Sequence, residues 1–152
     1  MNSIELAVNI IKEFEGYSAK PYLCPAGVPT IGYGSTVYPN GKRVSNSDPA
    51  ITKEEATEML IQTVKDIEIQ LKNILAVQLN EHQFAALLSF TYNVGIGNLS
   101  KSTLLGLVNT DSKHPQIPIQ FKRWNMAGGK VLRGLIRRRD SEVELYNGVR
   151  IA

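Results

Sequence analysis

The sequence predicts an α+β domain of two lobes joined by one long helix. Three observations predict it. Residues 17–45 mix short apolar segments with Gly, Pro and Asn turn formers, the pattern of a small antiparallel sheet. Thr52-Lys-Glu-Glu55 is a capping box, and behind it Ala56, Met59, Leu60, Thr63, Val64, Ile67, Leu71 and Ile74 recur at helical spacing. From residue 79 onward the apolar stretches read as helices. The chain is expected to be one domain over 1–152. Its N-terminal lobe runs from about 15 to 58, the connecting helix from about 53 to 75, and the all-helical lobe from about 79 to 152 with the first helix packed against it.

The elements follow in order. Ser3 can cap a first helix whose Ile4, Ala7, Ile11 and Phe14 share a face, and Gly16 suits its C-terminus. Glu15 falls in the last turn. There a carboxylate meets the negative end of the helix dipole, and burial beside Ile11 and Phe14 also disfavours its charge. Both effects favour the protonated form that a general acid uses. A solvated glutamate at a frayed end is the other reading.

Pro21–Leu23 leads through a Pro25-Ala26-Gly27 turn to a strand over Val28–Tyr33, with Thr30, Gly32 and Gly34 expected on one face. Asn40-Gly41 reads as a type I′ turn joining Thr36–Tyr38 to Arg43–Val44. Asn80-Glu-His-Gln83 opens a helix that is apolar around most of its circumference, as a central helix is. A glycine turn at 93–98 ends it. Ser102 or Thr103 opens a short helix, and Pro118 suits the start of another that includes Phe121 and Trp124. Gly128-Gly129 breaks the chain before a last helix from about Leu135 to Tyr146.

Composition excludes several classes. The chain has one cysteine, Cys24, so it has no intrachain disulfide. No apolar run approaches the roughly 20 residues that span a bilayer. The N-terminal MNSIELAVNIIKEFEG lacks the basic segment of a signal peptide, so a soluble protein made in a cytoplasm is expected. Net charge is +3, but its distribution is uneven. Between Ser112 and Arg139 stand eight Lys or Arg and no Asp or Glu. Such a run suits an anionic partner (nucleic acid, membrane surface or cell wall) or a solvated basic face. Arg137, Arg138 and Arg139 are expected in the first turn of their helix, where the dipole disfavours cations, so one of them should have a tertiary carboxylate partner such as Glu15.

Cys24 with His82 or His114 could form a thiol–base pair, although a lone cysteine beside proline also serves as a small apolar filler. No metal-ligand spacing and no phosphate-cradling glycine motif is present, so neither metal nor cofactor is expected.

Three segments carry a resemblance. IKEFEGYSAKPYLCPAGVPTIGYG (11–34), LNEHQFAALLSFTYNVGIGNLSKSTLL (79–105) and GLIRRRDSEVELY (134–146) together resemble the phage-type lysozymes, the endolysins of glycoside hydrolase family 24. The resemblance implies a lysozyme-like fold. It also implies hydrolysis of the β-1,4 bond between N-acetylmuramic acid and N-acetylglucosamine in peptidoglycan. Glu15 matches the family's general acid. Thr30 matches the threonine that helps hold the attacking water. Cys24 stands where the family usually has aspartate, so an ordinary thiol replaces an anion. Ser35 stands where many relatives have histidine. Tyr92, Asn93 and Gly34 fall where relatives line the cleft. One of Arg137, Arg138 and Arg139 is expected to approach Glu15. The family suggests inversion. Because the sequence shows no export signal, a holin is expected to permeabilise the membrane before the protein acts in the periplasm, as a monomer with no stable membrane association. Two other classes compete: a nucleic-acid-binding module using the basic lobe, and a wall-binding protein whose chemistry was lost through Cys24.

Overall fold

The computed structural model describes residues 1–149. Helix α1 (Ser3–Glu15) is followed by strands β1 (Ser18–Leu23) and β2 (Pro29–Gly32) and the long helix α2 (Lys53–Ile74). Then come α3 (Glu81–Val94), α4 (Ile96–Ser100), α5 (Thr103–Thr110), α6 (Ile117–Lys122), a hairpin of β3 (Met126–Ala127) and β4 (Lys130–Val131), and α7 (Arg133–Tyr146).

Helix α3 is the centre. Every residue from Gln83 to Thr91 is buried, because α1, α2, α4 and α7 all pack on it. It starts where expected, and with a capping box in which the Asn80 and Gln83 side chains each accept from the other's backbone N–H. Helix α2 starts with the matching box at Thr52 and Glu55. It serves two cores. Ala56, Leu60, Val64, Ile67 and Leu71 join the main one, while Met59 joins Ile31 and Val44 in a small cluster under the sheet.

Several local expectations change. Asn2, not Ser3, caps α1 by accepting from the Glu5 N–H; Ser3 is already helical, and its N–H donates to the Glu81 carboxylate. The second strand stops at Gly32. Gly32 and Gly34 have φ of 66° and 82°, so the chain turns there, and an Ile31–Ser35 bridge closes the turn. The turn at 38–41 closes from the Gly41 N–H to the Tyr38 carbonyl, making Pro39-Asn40 its central pair. Proline at the first central position fixes a negative φ there, which a type I′ turn does not accept, and Gly41 takes the positive φ of 88° instead. Gly97 lies inside α4, and Pro118 is the second residue of α6. Trp124 lies just past α6, half-buried with its ring edge-on to Phe90. Gly128-Gly129, both at positive φ, is the tight turn of the β3–β4 hairpin. Helix α7 begins at Arg133, so Arg137–Arg139 lie beyond its first turn and dipole repulsion does not explain their pairing. Among the described residues no helix is long and apolar enough to cross a membrane.

Candidate active site

Glu15 is the last residue of α1, and Gly16 at φ 70° turns the chain away behind it. Its side chain meets α7. Arg138 Nη1 donates to Glu15 Oε2 at 2.7 Å. Arg138 itself is buried. Its Nη2 donates to the Ser89 carbonyl at 3.1 Å, and its Nε lies 3.3 Å from Glu142 Oε2. Ser89 Oγ donates to the same carboxylate oxygen at 2.6 Å. Arg139 Nη2 donates to Asn93 Oδ1 at 2.5 Å. Its Nε stands 3.1 Å from Glu142 Oε1, an electrostatic contact off the line of the N–H, and the guanidinium lies 4.9 Å from the Phe90 ring centre. Two buried cations thus share two carboxylates, and the formal charges cancel. Burial pulls the Arg139 pKa down and Arg138 adds to this, against the Glu142 charge.

The second oxygen of Glu15 faces the sheet turn. A Cβ on Gly34 would stand 2.7 Å from Glu15 Oε1 and 3.4 Å from the Tyr92 hydroxyl. Glycine is therefore required twice, for its φ of 82° and for that approach. The Tyr92 hydroxyl donates to the Tyr33 carbonyl at 2.6 Å. Burial, then the Glu15 charge, raise the Tyr92 pKa.

A cleft passes this point in two arms. One, of 930 Å³, runs along α7 past Glu13, Leu132, Leu135 and Arg137; the other, of 610 Å³, runs past Ser35, Val37, Asp66 and Thr91. Glu15 and Asn93 line both. Because Arg139 holds Asn93 by its oxygen, the amide NH2 is left to donate.

Cys24 and Thr30 sit together on the sheet side. The turn after β1 closes with Gly27 N–H donating to the Cys24 carbonyl at 2.8 Å, and Thr30 pairs with Tyr22 across the strands. The Val28 N–H most strongly lowers the Cys24 thiol pKa; the Ala26 N–H, the Thr30 hydroxyl and the Gly27 N–H add to this, while burial opposes it. Backbone groups of the turn are the main cause. The Thr30 hydroxyl donates to the Val28 carbonyl at 2.9 Å. Neither Cys24 nor Thr30 is among the residues lining the two arms, though Pro25 lines the larger. Tyr22 connects the two sides: its pKa is raised by burial, then by the charges of Glu15 and Cys24.

A family model described as phage lysozyme matches residues 12–142. The chain belongs to the phage lysozyme family. It is 37% identical over 148 residues to an endolysin of Bacillus phage B103, covering 96% of this chain and 54% of that protein. It is 32% identical over 150 residues to an endolysin of Acyrthosiphon pisum secondary endosymbiont phage 1, covering 96% and 98%. The chain therefore spans about half the length of the Bacillus-phage relatives and nearly all of the other. Among solved structures, the endolysin from Escherichia coli O157:H7 phage FAHEc1 superposes with a TM-score of 0.84 at 31% identity, covering 96% of this chain and 93% of that one. The fold is the α+β lysozyme fold, with its small antiparallel sheet and helical remainder.

Within that fold the expected site residues divide. Glu15, Gly34, Tyr92 and Asn93 converge on one cleft, and Arg138 is the arginine that reaches Glu15. Arg137 is exposed in the larger arm, and Arg139 serves Asn93 and Glu142. Sequence reasoning missed Glu142, Ser89 and Tyr22. Glu142 had a signal: it lies four residues after Arg138 and three after Arg139, so all three share a helix face.

Proposed function

We propose that this chain is an endolysin muramidase that cleaves the β-1,4 bond between N-acetylmuramic acid and N-acetylglucosamine of peptidoglycan. The observation that carries the reading is the placement of Glu15. It stands where the two cleft arms meet, with one oxygen held by a buried arginine and the other facing the cleft-lining Gly34.

In this reading Glu15 is the catalytic acid. Its Oε2 accepts from Arg138, so Oε1 is the oxygen that delivers a proton to the glycosidic oxygen as the bond to the anomeric carbon breaks. A water on the opposite face of the sugar attacks that carbon, with inversion. Thr30 holds the water as an acceptor, because its own proton is donated elsewhere, to the Val28 carbonyl while the thiol is neutral. Cys24, as thiolate, takes the water's proton. When the sulfur is charged, the Thr30 hydroxyl turns to it and stabilises the anion. Solvent exchange returns a proton to Glu15 and removes one from Cys24. Tyr92 and Asn93 contact the sugar, with the Asn93 NH2 as donor, and Gly34 leaves the backbone open to it. Peptidoglycan is the substrate, and no cofactor or metal takes part. The enzyme is made in the host cytoplasm and acts as a monomer in the periplasm once a holin has opened the membrane.

The test is turbidity clearing of outer-membrane-permeabilised Gram-negative cells by wild type and Glu15→Gln, with reducing-sugar release measured alongside. Clearing and new reducing ends with wild type, and neither with Glu15→Gln, are expected. Equal clearing by both proteins would remove Glu15 from the mechanism. Wall binding without clearing by folded wild type would leave a binding protein that has lost its chemistry.

A further inference from the structure

A second cavity, of 380 Å³, lies at the other end of α3 from the cleft. The fourteen residues of α3 separate the two by about 20 Å at 1.5 Å per residue. The first turn of α3, the loop after α5, the start of α6 and the end of α7 form its walls. They bring together His82 and His114, the two histidines of the chain, with Lys113. No carboxylate is among its lining residues.

The walls offer donors and few acceptors. In the capping box Asn80 Oδ1 accepts from the Gln83 N–H at 2.8 Å, and Gln83 Oε1 accepts from the Asn80 N–H at 3.1 Å. Both amide oxygens are thereby engaged, and both NH2 groups remain. Gln83 is only 8% exposed, and its NH2 has no hydrogen-bond partner among the described residues. The Gln116 N–H donates to His114 Nδ1 at 3.1 Å, which puts the imidazole proton on Nε2. That tautomer is a donor and has no Nε2 lone pair for a metal. The Ser112 carbonyl is occupied by the Tyr146 hydroxyl at 2.7 Å. Of the neighbouring acids, the Glu81 carboxylate accepts from the Ser3 N–H, and Asp111 accepts from the Lys113 N–H at 3.0 Å and stays at the rim, where its charge is felt by Tyr146. The positive end of the α3 dipole adds to the same field. The Gln83 NH2 therefore keeps its donor capacity for an acceptor in the cavity that Gln83 lines.

We propose that this cavity binds a phosphate-type oxyanion through Gln83, Asn80, His114 and Lys113. The chemistry is shared by free phosphate, a phosphate-bearing wall polymer and an anionic lipid headgroup.

Amide NMR titration of the whole chain with inorganic phosphate tests it. Saturable shifts are expected at the Gln83 side-chain amide and around His114. Gln83→Glu keeps the oxygen that completes the capping box but replaces the donor, and it should abolish those shifts while the rest of the spectrum stays folded. Lys113→Gln, an exposed change, should weaken binding by about tenfold, as expected for loss of a charged hydrogen-bond donor. Titrations with a glycerol-phosphate oligomer and with phosphatidylglycerol vesicles then assign the source. Whichever perturbs the same residues at the lowest concentration is the ligand form, and a response to inorganic phosphate alone assigns free phosphate. No saturable shift, shifts confined to the basic run 122–137, equal binding by Gln83→Glu, or tighter binding of acetate would each overturn the proposal.

Discussion

On the helical side of the cleft, Arg138 and Arg139 are 3% and 0% exposed and are held in place chiefly by the Glu142 carboxylate, itself braced by the Ser89 hydroxyl, with the Ser89 carbonyl and the Asn93 side chain. On the sheet side, Cys24 and Thr30 are positioned by a tight turn and two backbone carbonyls, and Gly34 by its φ. One wall is set by side-chain charge in a low-dielectric interior, and the other by backbone geometry. The difference teaches where substitution is tolerated. Removing one buried charge strands another, so the helical wall must change as a set. Backbone N–H groups of the 24–28 turn favour the Cys24 thiolate. The proposed mechanism therefore expects an aspartate at position 24 to work as well.

The sharpest way to break the comparison is Glu142→Ala. It leaves two buried guanidiniums with only Glu15 as counter-charge. The expected loss is roughly 3–5 kcal/mol. For a chain of this size that is a fall in Tm on the order of 6–20 °C. Thermal unfolding checks it, and an unchanged Tm would show that the helical wall does not depend on its charges.

The sheet wall should respond in rate and hardly in stability. Cys24→Ser removes the proposed base, since a serine hydroxyl does not ionise near neutral pH. The expected fall in kcat is about a hundredfold, the lower end for a lost general base. Cys24→Asp should restore most of it. The pH profiles fix the sign. The Cys24 pKa is lowered from 9.0, so the thiolate fraction rises as pH climbs through a value below 9.0. Because the reaction also needs a proton on Glu15, the wild-type rate is a bell in pH, and one limb reports position 24. In Cys24→Asp that limb should move to acid pH. Superimposable profiles for the two proteins would exclude position 24 as the base.

Gly34→Ala probes the junction of the walls. Its Cβ collides with the Glu15 carboxylate while the backbone keeps a positive φ. Roughly 1–3 kcal/mol of destabilisation is expected from strain of this kind. Activity should fall further than stability accounts for, because Glu15 Oε1 is displaced. Unfolding in urea beside a kcat measurement separates the two.

Legibility followed the same division. The capping box at Thr52, the helix start at Asn80, the central place of α3 and the Glu15 position were readable, because helical period and cap chemistry are local. The choice of Arg138 among three consecutive arginines was not read. It depends on the phase of α7 against α3, and the helix starts at Arg133, earlier than the expected Leu135. The approach of Gly34 to Glu15 was hidden because its alternation with Gly32 mimics a strand. The cavity holding His82 and His114 was invisible because residues about thirty apart in sequence meet there only through the packing of α6 and α7.

Tyr92→Phe carries the smallest expected effect and tests how tightly the walls are coupled. The Tyr92 hydroxyl is on the helical side and donates to the Tyr33 carbonyl on the sheet side. Its loss removes one partly buried hydrogen bond, about 1 kcal/mol. The freed Tyr33 carbonyl is next to Gly34, and Glu15 Oε1 is the next group along. If the walls move as one body, kcat should fall by only about twofold to fivefold, in line with that energy, and the pH profile should keep its shape. If this bond sets the distance between the acid and the sheet, kcat should fall far more than stability does. Cys24→Asp in the same background would then fail to rescue the rate. That second result would move control of the site from the two walls to the single contact joining them.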